Sequence, residues 1–257
     1  MGRPKVGVYG LTSCAGDQLT LINCEDELLD IVGAIDLQSF AMAQSGNVEG
    51  ELDVALVEGA VTNEHDAKRL RDIRARSGLL IAFGTCAAWG GVPASANDLP
   101  REQLKEVVYG SEAAKYYQVS KALPLDRFVA VDFAISGCPI EKSELITSLA
   151  SLLHGDIPLL PGYAVCTECK MQENVCQMVD LDQICLGPIT RAGCHARCPS
   201  HNRYCVGCRG PVEEANFASE VALLREKGFT SEQVKSRLRI FAYPCVELQR
   251  AVGDEND

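Results

Sequence analysis

Five short apolar, β-rich runs punctuate the first part of the chain: Lys5–Leu11 (KVGVYGL), Ala34–Met42, Leu52–Val57 (LDVALV), Leu79–Phe83 and Phe128–Ile135. Between them the apolar positions fall at helical spacing. A helix is expected after Asp17, with Leu21, Leu28, Ile31 and Val32 on one side. Thr62–Arg76 reads as a charged amphipathic helix with Asn63 as its cap. Pro93–Lys121 reads as an insertion of one or two surface helices, closed by Pro124, and Ile140–Leu153 as a helix with Ile140, Leu145, Leu149 and Leu152 aligned. Strands alternating with helices predict an α/β fold with a doubly wound, mostly parallel sheet. In such sheets ligands sit outside the carboxyl ends of the strands. Cys14, Cys86 and Cys138 each lie just past the end of a predicted strand, so three cysteines far apart in sequence are expected to meet at one edge. The bland alternative is three unrelated core thiols, because free cysteine is often simply buried.

The pattern then changes. Eight cysteines (Cys166, Cys169, Cys176, Cys185, Cys194, Cys198, Cys205 and Cys208) crowd one short stretch. Eight thiolates make two sets of four, the number that holds one [4Fe–4S] cluster. Cys₄ zinc sites also use C-x₂-C pairs, and four disulfides are a third arrangement. The inner spacings are wider than the compact hairpins of most zinc sites, as if the chain wraps bulky groups, yet spacing alone settles nothing. Beyond it, Pro211–Lys227 and Ser231–Phe241 read as helices, with Gly228 ending the first and a Thr230/Gln233 capping box opening the second. They carry no evident chemistry and are expected to pack on the small domain or on a partner.

Composition narrows the function. The 257 residues are 47% hydrophobic, enough for a large domain and a small one, and the net charge of −11 makes nucleic acid and anionic membrane poor partners. No apolar run approaches the roughly 18 residues of a membrane span. The start of the chain has no signal pattern, which points to the cytoplasm. Thirteen cysteines in a reducing compartment favour metal or cluster ligation over bridges. Dinucleotide and P-loop fingerprints are absent. Gly84, Gly90 and Gly91, beside Cys86, suit a backbone that approaches a bulky ligand, or ordinary turns.

Taken together, TSCAGDQL, VEGAV, GTCAAWGG, SGCP, CLGPITRAGCHARCP and CVGCRG resemble the small, electron-transferring subunit of cytoplasmic [NiFe] hydrogenases. The likeness runs from residue 5 to about 212 and is nearest to sulfhydrogenase delta subunits, then to F420-reducing and methyl-viologen-reducing gamma subunits. It implies a flavodoxin-like domain over 1–157 with a proximal cluster and a ferredoxin-like domain over 158–212 with two more [4Fe–4S] clusters. A helical tail fills 213–257. It implies Cys14, Cys86 and Cys138 as proximal ligands. Asp17, three positions past Cys14 where many members have a second cysteine, is either the fourth ligand or a helix cap. Cys24, seven residues on and about 10 Å along a helix, is a poor substitute; it and Cys245 are expected to be structural. The eight later cysteines divide as Cys166, Cys169, Cys176 and Cys185 against Cys194, Cys198, Cys205 and Cys208, or in a crossed pattern. His195 and His201 are expected near the clusters or at the surface rather than as ligands. Glu58 is either a proton-path residue facing the large subunit or a turn carboxylate. The implied function is electron relay from the nickel–iron centre of a large subunit to a flavin- or cluster-bearing acceptor subunit. The alternatives are the related single-cluster subunit of the quinone-linked complex and a zinc-stapled interaction protein.

Overall fold

In the computed structural model the described residues are 2–253 apart from 25, 28–30 and 32; of residue 113 only the backbone is described. Five parallel strands form one sheet: β1 (Lys5–Gly10), β2 (Asp36–Phe40), β3 (Leu52–Glu58), β4 (Ser77–Phe83) and β5 (Phe133–Ile135), in the order β2-β1-β3-β4-β5. This is the flavodoxin-like order, whose switch point lies between β1 and β3. Both faces of the central strands are buried, which is why LDVALV reads as continuous rather than alternating apolar sequence. Val54 and Leu56 join Val8, Ile81 and Phe83 on one face, under Leu145 and Leu149 of the helix Lys142–Leu153. Ala55 and Val57 join Tyr9, Leu80 and Ala82 on the other, against Leu70 and Ile73 of the helix Glu64–Ala75. Cutting Leu56, 1% exposed, back to alanine would cost about 2–5 kcal/mol.

The helices of this half are α1 (Gly16–Ile22), α2 (Glu64–Ala75), α3 (Thr85–Trp89), α4 (Gly91–Ala94), α5 (Arg101–Ala114) and α6 (Lys142–Leu153). Asn63 caps α2, its side chain accepting from the Asp66 N–H at 2.8 Å. The insertion holds α4 and α5, the latter broken at Gly110. The helix expected through Leu28 and Val32 falls partly on residues outside those described.

One expected strand is much shorter in the structure. Of Phe128–Ile135 only Phe133–Ile135 is strand. The preceding residues Leu125–Arg127 form a 3₁₀ turn, and Phe128, Val129 and Val131 pack as an apolar turn against the α2 side of the sheet. Asp132 substitutes for the start of the ladder. Its N–H donates to Leu80 O at 3.0 Å and its carboxylate accepts from Leu80 N–H at 2.7 Å.

The cysteine-rich half has little regular structure: α7 (Val165–Met171), a 3₁₀ turn (Gly187–Ile189), α8 (Arg197–Ser200) and two isolated bridges, Ala164–Arg191 and Thr190–Pro211. Glu173, Asp182, His195, Ala196, Asn202 and Glu214 all take positive φ, so this backbone is shaped by constraints other than propensity. Three helices close over it: α9 (Phe217–Glu226), α10 (Ser231–Ala242) and α11 (Val246–Val252). The helix expected to begin at Pro211 begins at Phe217, capped by Asn216. The Thr230/Gln233 capping box is present. Phe217, Val221, Leu224, Val234, Leu238 and Leu248 share one core with Val165, Cys185, Leu186, Ile189 and Cys205. Among the described residues no helix is long and apolar enough to cross a membrane.

Candidate functional site

The strand register aligns Gly10 with Glu58, Glu58 with Phe83, and Phe83 with Ile135. The sheet therefore ends along one line, and Cys14, Cys86 and Cys138 lie four, three and three positions beyond it. Cys14 is in the exposed loop before α1, Cys86 is buried in α3, and Cys138 is half-buried after β5. The three cysteines and Asp17 converge. Burial pushes the Cys86 thiol up to about 12, with Cys138, Asp17 and Cys14 as its charged neighbours. Cys138 is pushed up to about 11 by burial, then by Asp17, Cys14 and Glu58.

Asp17 is buried in the first turn of α1 but caps neither that turn nor its own helix. Its Oδ1 accepts from Ile140 N–H at 2.8 Å, two residues beyond Cys138. Its Oδ2 lies where only a glycine leaves room: a Cβ on Gly84, whose φ is +89°, would be 1.8 Å away. Burial, opposed by the Ile140 bond and aided by Glu58, lifts the carboxyl to about 7. Glu58, 1% exposed, receives the N–H groups of Asp17 and Gln18, each at 3.3 Å, and Gln18 Nε2 at 2.7 Å. Through these bonds Glu58 fastens the first turn of α1 and so orients Asp17.

The eight later cysteines fall into two neighbourhoods. Cys166, pushed up to about 12 by burial, has Cys185, Cys169 and Cys176 as its thiol neighbours. Cys208, also about 12 through burial, has Cys194 and Cys198, and beyond them Cys138 of the sheet-edge group. Cys205, driven well above its ordinary value by burial, faces both Cys185 and Cys208. The three neighbourhoods therefore run in a chain: sheet edge, then the Cys208 group, then the Cys166 group. Among the described residues no three Cys, His, Asp or Glu side chains close on a single point as ligands of one metal ion do. Thiols gathered in this way, with a carboxylate at the sheet edge, are the donor chemistry of an iron–sulfur cluster, a group larger than a single metal ion.

His195 and His201 are at the surface, the latter with Nδ1 2.8 Å from Arg197 O. Cys24 is in the sheet core, its thiol 3.2 Å from Thr20 O, and Cys245 sits at the start of α11 beside Glu247. Several polar residues of the site were not evident in the sequence. Glu168, between Cys166 and Cys169, accepts from Gly193 N–H at 2.8 Å and Ala196 N–H at 3.1 Å, pinning the Cys194 loop. Arg209 is 2% exposed, pairs with Glu144 of α6, and donates to Ala192 O at 2.9 Å. Thr85 Oγ1 donates to Cys208 O at 2.5 Å. Gly210, with φ +72°, admits the Trp89 ring, which a Cβ would meet at 2.3 Å. The repeated glycines were the available signal for this junction; nothing in the pattern marked Arg209.

Comparison with known proteins agrees with this geometry. The family described as NADH ubiquinone oxidoreductase, 20 Kd subunit, matches residues 14–152, the sheet and its edge. The sulfhydrogenase 2 subunit delta of Pyrococcus furiosus is 38% identical over 93% of this chain and 99% of its own. A vhu subunit of the F420-non-reducing hydrogenase of Methanocaldococcus jannaschii is 31% identical over 96% of this chain and 97% of its own. Among solved structures, a chain of an NAD⁺-reducing [NiFe]-hydrogenase superposes with a TM-score of 0.57 at 27% identity, covering 62% of this chain and 96% of that one. A chain of the [NiFeSe]-hydrogenase of Dm. baculatum, at 18% identity, shares the fold over 82% of this chain with a TM-score of 0.57. The match to the 20 Kd family stops before the cysteine-rich half, whereas the hydrogenase subunits run through it, and the chain belongs to this family as a small subunit of the [NiFe] hydrogenase kind.

Proposed function

We propose that this chain is the electron relay of a multisubunit [NiFe] hydrogenase, holding three [4Fe–4S] clusters between the nickel–iron centre of a large subunit and a flavin- or iron–sulfur-bearing acceptor subunit. The observation that carries the reading is the chain of neighbourhoods: Cys138 faces Cys208, and Cys205 faces Cys185. When bound, such clusters take up and release single electrons at potentials set by ligand type, hydrogen bonds and burial. In this chain Cys14, Cys86 and Cys138 with Asp17 would hold the group nearest the large subunit. Cys194, Cys198, Cys205 and Cys208 would hold the middle one, and Cys166, Cys169, Cys176 and Cys185 the outer one. The mutual neighbours favour this uncrossed division; Cys205, which faces both sets, completes four and four only if it belongs with Cys208. The organisation follows: a flavodoxin-like domain over 1–157, a ferredoxin-like pair of cluster sites over 158–212, and the tail over 213–257, in a cytoplasmic complex.

The remaining residues position these ligands. Glu58 and Ile140 fix Asp17, Glu168 fixes the loop before Cys194, and Arg209 places a cation beside Cys194 and Cys208. The test is iron and acid-labile sulfide analysis of the isolated complex, with its visible and EPR spectra. About twelve irons for this chain are expected from three cubanes. A colourless protein carrying zinc would overturn the proposal, and four irons confined to the sheet edge would favour the single-cluster alternative.

A further inference from the structure

Trp89 is the chain's single tryptophan. By sequence it belongs to the sheet half, as the last residue of α3, yet its half-buried ring packs against the core of the cysteine-rich half. Three ties fix it. Through α3 it is joined to Cys86: the N–H of Gly90, the next residue, donates to Cys86 O at 3.0 Å. Its Nε1–H donates to Ser136 Oγ at 3.2 Å, two residues before Cys138. Its five-membered ring lies on Gly210, two residues after Cys208, where a Cβ would be 2.3 Å from Cδ1 and 2.4 Å from Nε1. Gly210 is itself held, its carbonyl accepting from Arg191 N–H at 3.1 Å. One indole therefore bears on the segments that carry Cys86 and Cys138 of the sheet-edge group and Cys208 of the next. An indole suits such a place, being a large, rigid body with only two χ angles and one polar edge.

We propose that Trp89 is a positioning residue for electron transfer, a rigid spacer that sets the separation and orientation of the sheet-edge and middle clusters. The inference rests on the three-cluster reading. An electron step between two centres depends steeply on the distance between them, so a relay needs its ligand loops locked by packing and hydrogen bonds. Regular structure does not lock these two groups together. The sheet-edge ligands follow strands, whereas Cys208 and Gly210 lie in a segment with neither helix nor strand. The helix α3 takes over that task. Thr85, its first residue, donates its hydroxyl to Cys208 O, and Trp89, its last, lies on Gly210. The five residues around Cys86 thus grip the Cys208–Gly210 segment at two points, and the indole is the larger and stiffer of the two.

The experiment is EPR of the fully reduced, intact complex, comparing wild type with Trp89→Ala and Trp89→Phe at matched iron content. In the reduced protein neighbouring cluster signals split one another, and the splitting weakens as the two groups separate. The pair is identified by a Cys198→Ser ligand exchange, which should disturb the middle signal and change the splitting of the sheet-edge one. Trp89→Ala should lose most of that splitting. Trp89→Phe keeps a six-membered ring but lacks both the N–H and the ring that lies on Gly210, so its splitting should fall between the two. A role in stability alone would lower the melting temperature and leave the splitting of the loaded protein as in wild type. Wild-type splitting in Trp89→Ala therefore overturns the inference and leaves the relay intact. Where the alanine variant does not load iron, the phenylalanine variant decides in the same way. An unsplit sheet-edge signal in the wild-type complex, with all cubanes present, also overturns the spacer, whereas absence of cubane signals overturns the relay itself and the inference with it.

Discussion

The two halves of this molecule hold their cysteines by opposite means. At the sheet edge, regular structure carries the ligands. Five parallel strands end in register, and the loops that leave β1, β4 and β5 present Cys14, Cys86 and Cys138 without drawing on these three thiols for the sheet's own core. In the stretch 165–210, eight cysteines occupy a backbone of short helices and left-handed residues, and two of them, Cys185 and Cys205, are part of its apolar core. There the ligands carry the structure. A sheet of this kind is stable through its buried faces whatever it binds, whereas a segment with so little hydrogen-bonded structure depends on what its thiols grip, as small metal-binding domains do.

The largest effect expected from this contrast is selective unfolding. Removing iron with a chelator, or replacing Cys169 or Cys208 by serine, should open the region around residues 166–208 to protease while the sheet and α1–α6 remain resistant. Limited proteolysis with mass mapping reads both halves at once. Equal resistance of the two would mean that α9–α11 and their apolar contacts suffice to hold the cysteine-rich half, and the contrast would fall.

The halves also meet, and the next effect tests how. Arg209 and Glu144 form a buried ion pair between the cysteine-rich half and α6. Removing one partner of such a pair leaves an uncompensated charge, at a cost of about 3–5 kcal/mol, whereas replacing both with apolar residues of similar size is often neutral. Arg209→Met should therefore lower the melting temperature sharply, and adding Glu144→Leu should restore most of it. A double variant no better than the single would show that Arg209 matters to the thiolates of Cys194 and Cys208 more than to Glu144.

Much of the first half was legible in the sequence and much of the second was not. The strands were legible because buried parallel strands write themselves as unbroken apolar runs, and the edge cluster followed from where such strands end. Phe128–Val131 misled because the same apolar run can pack as a turn, and only the Asp132–Leu80 pairing shows where the ladder begins. The division of eight thiols was not legible, because it depends on Cys138 meeting Cys208 across the junction and on the tail helices closing the core. Glu220, a carboxylate buried on α9 against that core, does leave a trace in the pattern. It occupies the third position after Phe217 in an apolar stripe continued by Val221 and Leu224, a slot where a carboxylate is out of place.

A smaller effect sharpens the sheet-edge side. Gly84 leaves room for Asp17, and a methyl group there would displace Oδ2 as well as strain a backbone at φ +89°. Gly84→Ala should cost about 1–3 kcal/mol for the positive-φ extended conformation alone. It should also change the proximal EPR signal in the same direction as Asp17→Ala. If Asp17→Ala leaves that signal and its potential unchanged, Asp17 serves only to hold Ile140. In iron-free protein the sign of a pH effect is fixed. The folded pKa, about 7, exceeds the ordinary 3.8, so this carboxyl favours the fold at low pH. That contribution is complete below the unfolded value and is lost as pH rises through about 7. The stability difference between wild type and Asp17→Asn, followed by denaturant titration, should shrink across that window.

A last effect, comparable in size, lies at a second contact between the halves. Thr85 is fully buried at the start of α3, beside Cys86, and its hydroxyl donates to the carbonyl of Cys208. One hydrogen bond thus links a sheet-edge ligand's neighbour to the backbone of the next group. Thr85→Val keeps the shape and removes the donor, leaving a buried carbonyl without it, at a cost of about 1–3 kcal/mol. Thr85→Ser keeps the donor and loses a methyl group, a smaller change of about 1 kcal/mol. If the bond only joins two surfaces, the valine variant should melt lower than the serine variant, with all three cluster potentials unmoved. If it also orients Cys208, the potential of the middle group should shift in the valine variant and not in the serine one. Calorimetry and redox titration of the same two proteins separate these outcomes. A valine variant as stable as wild type, with unshifted potentials, would show that the junction is held by Arg209 and Trp89 without help from this bond.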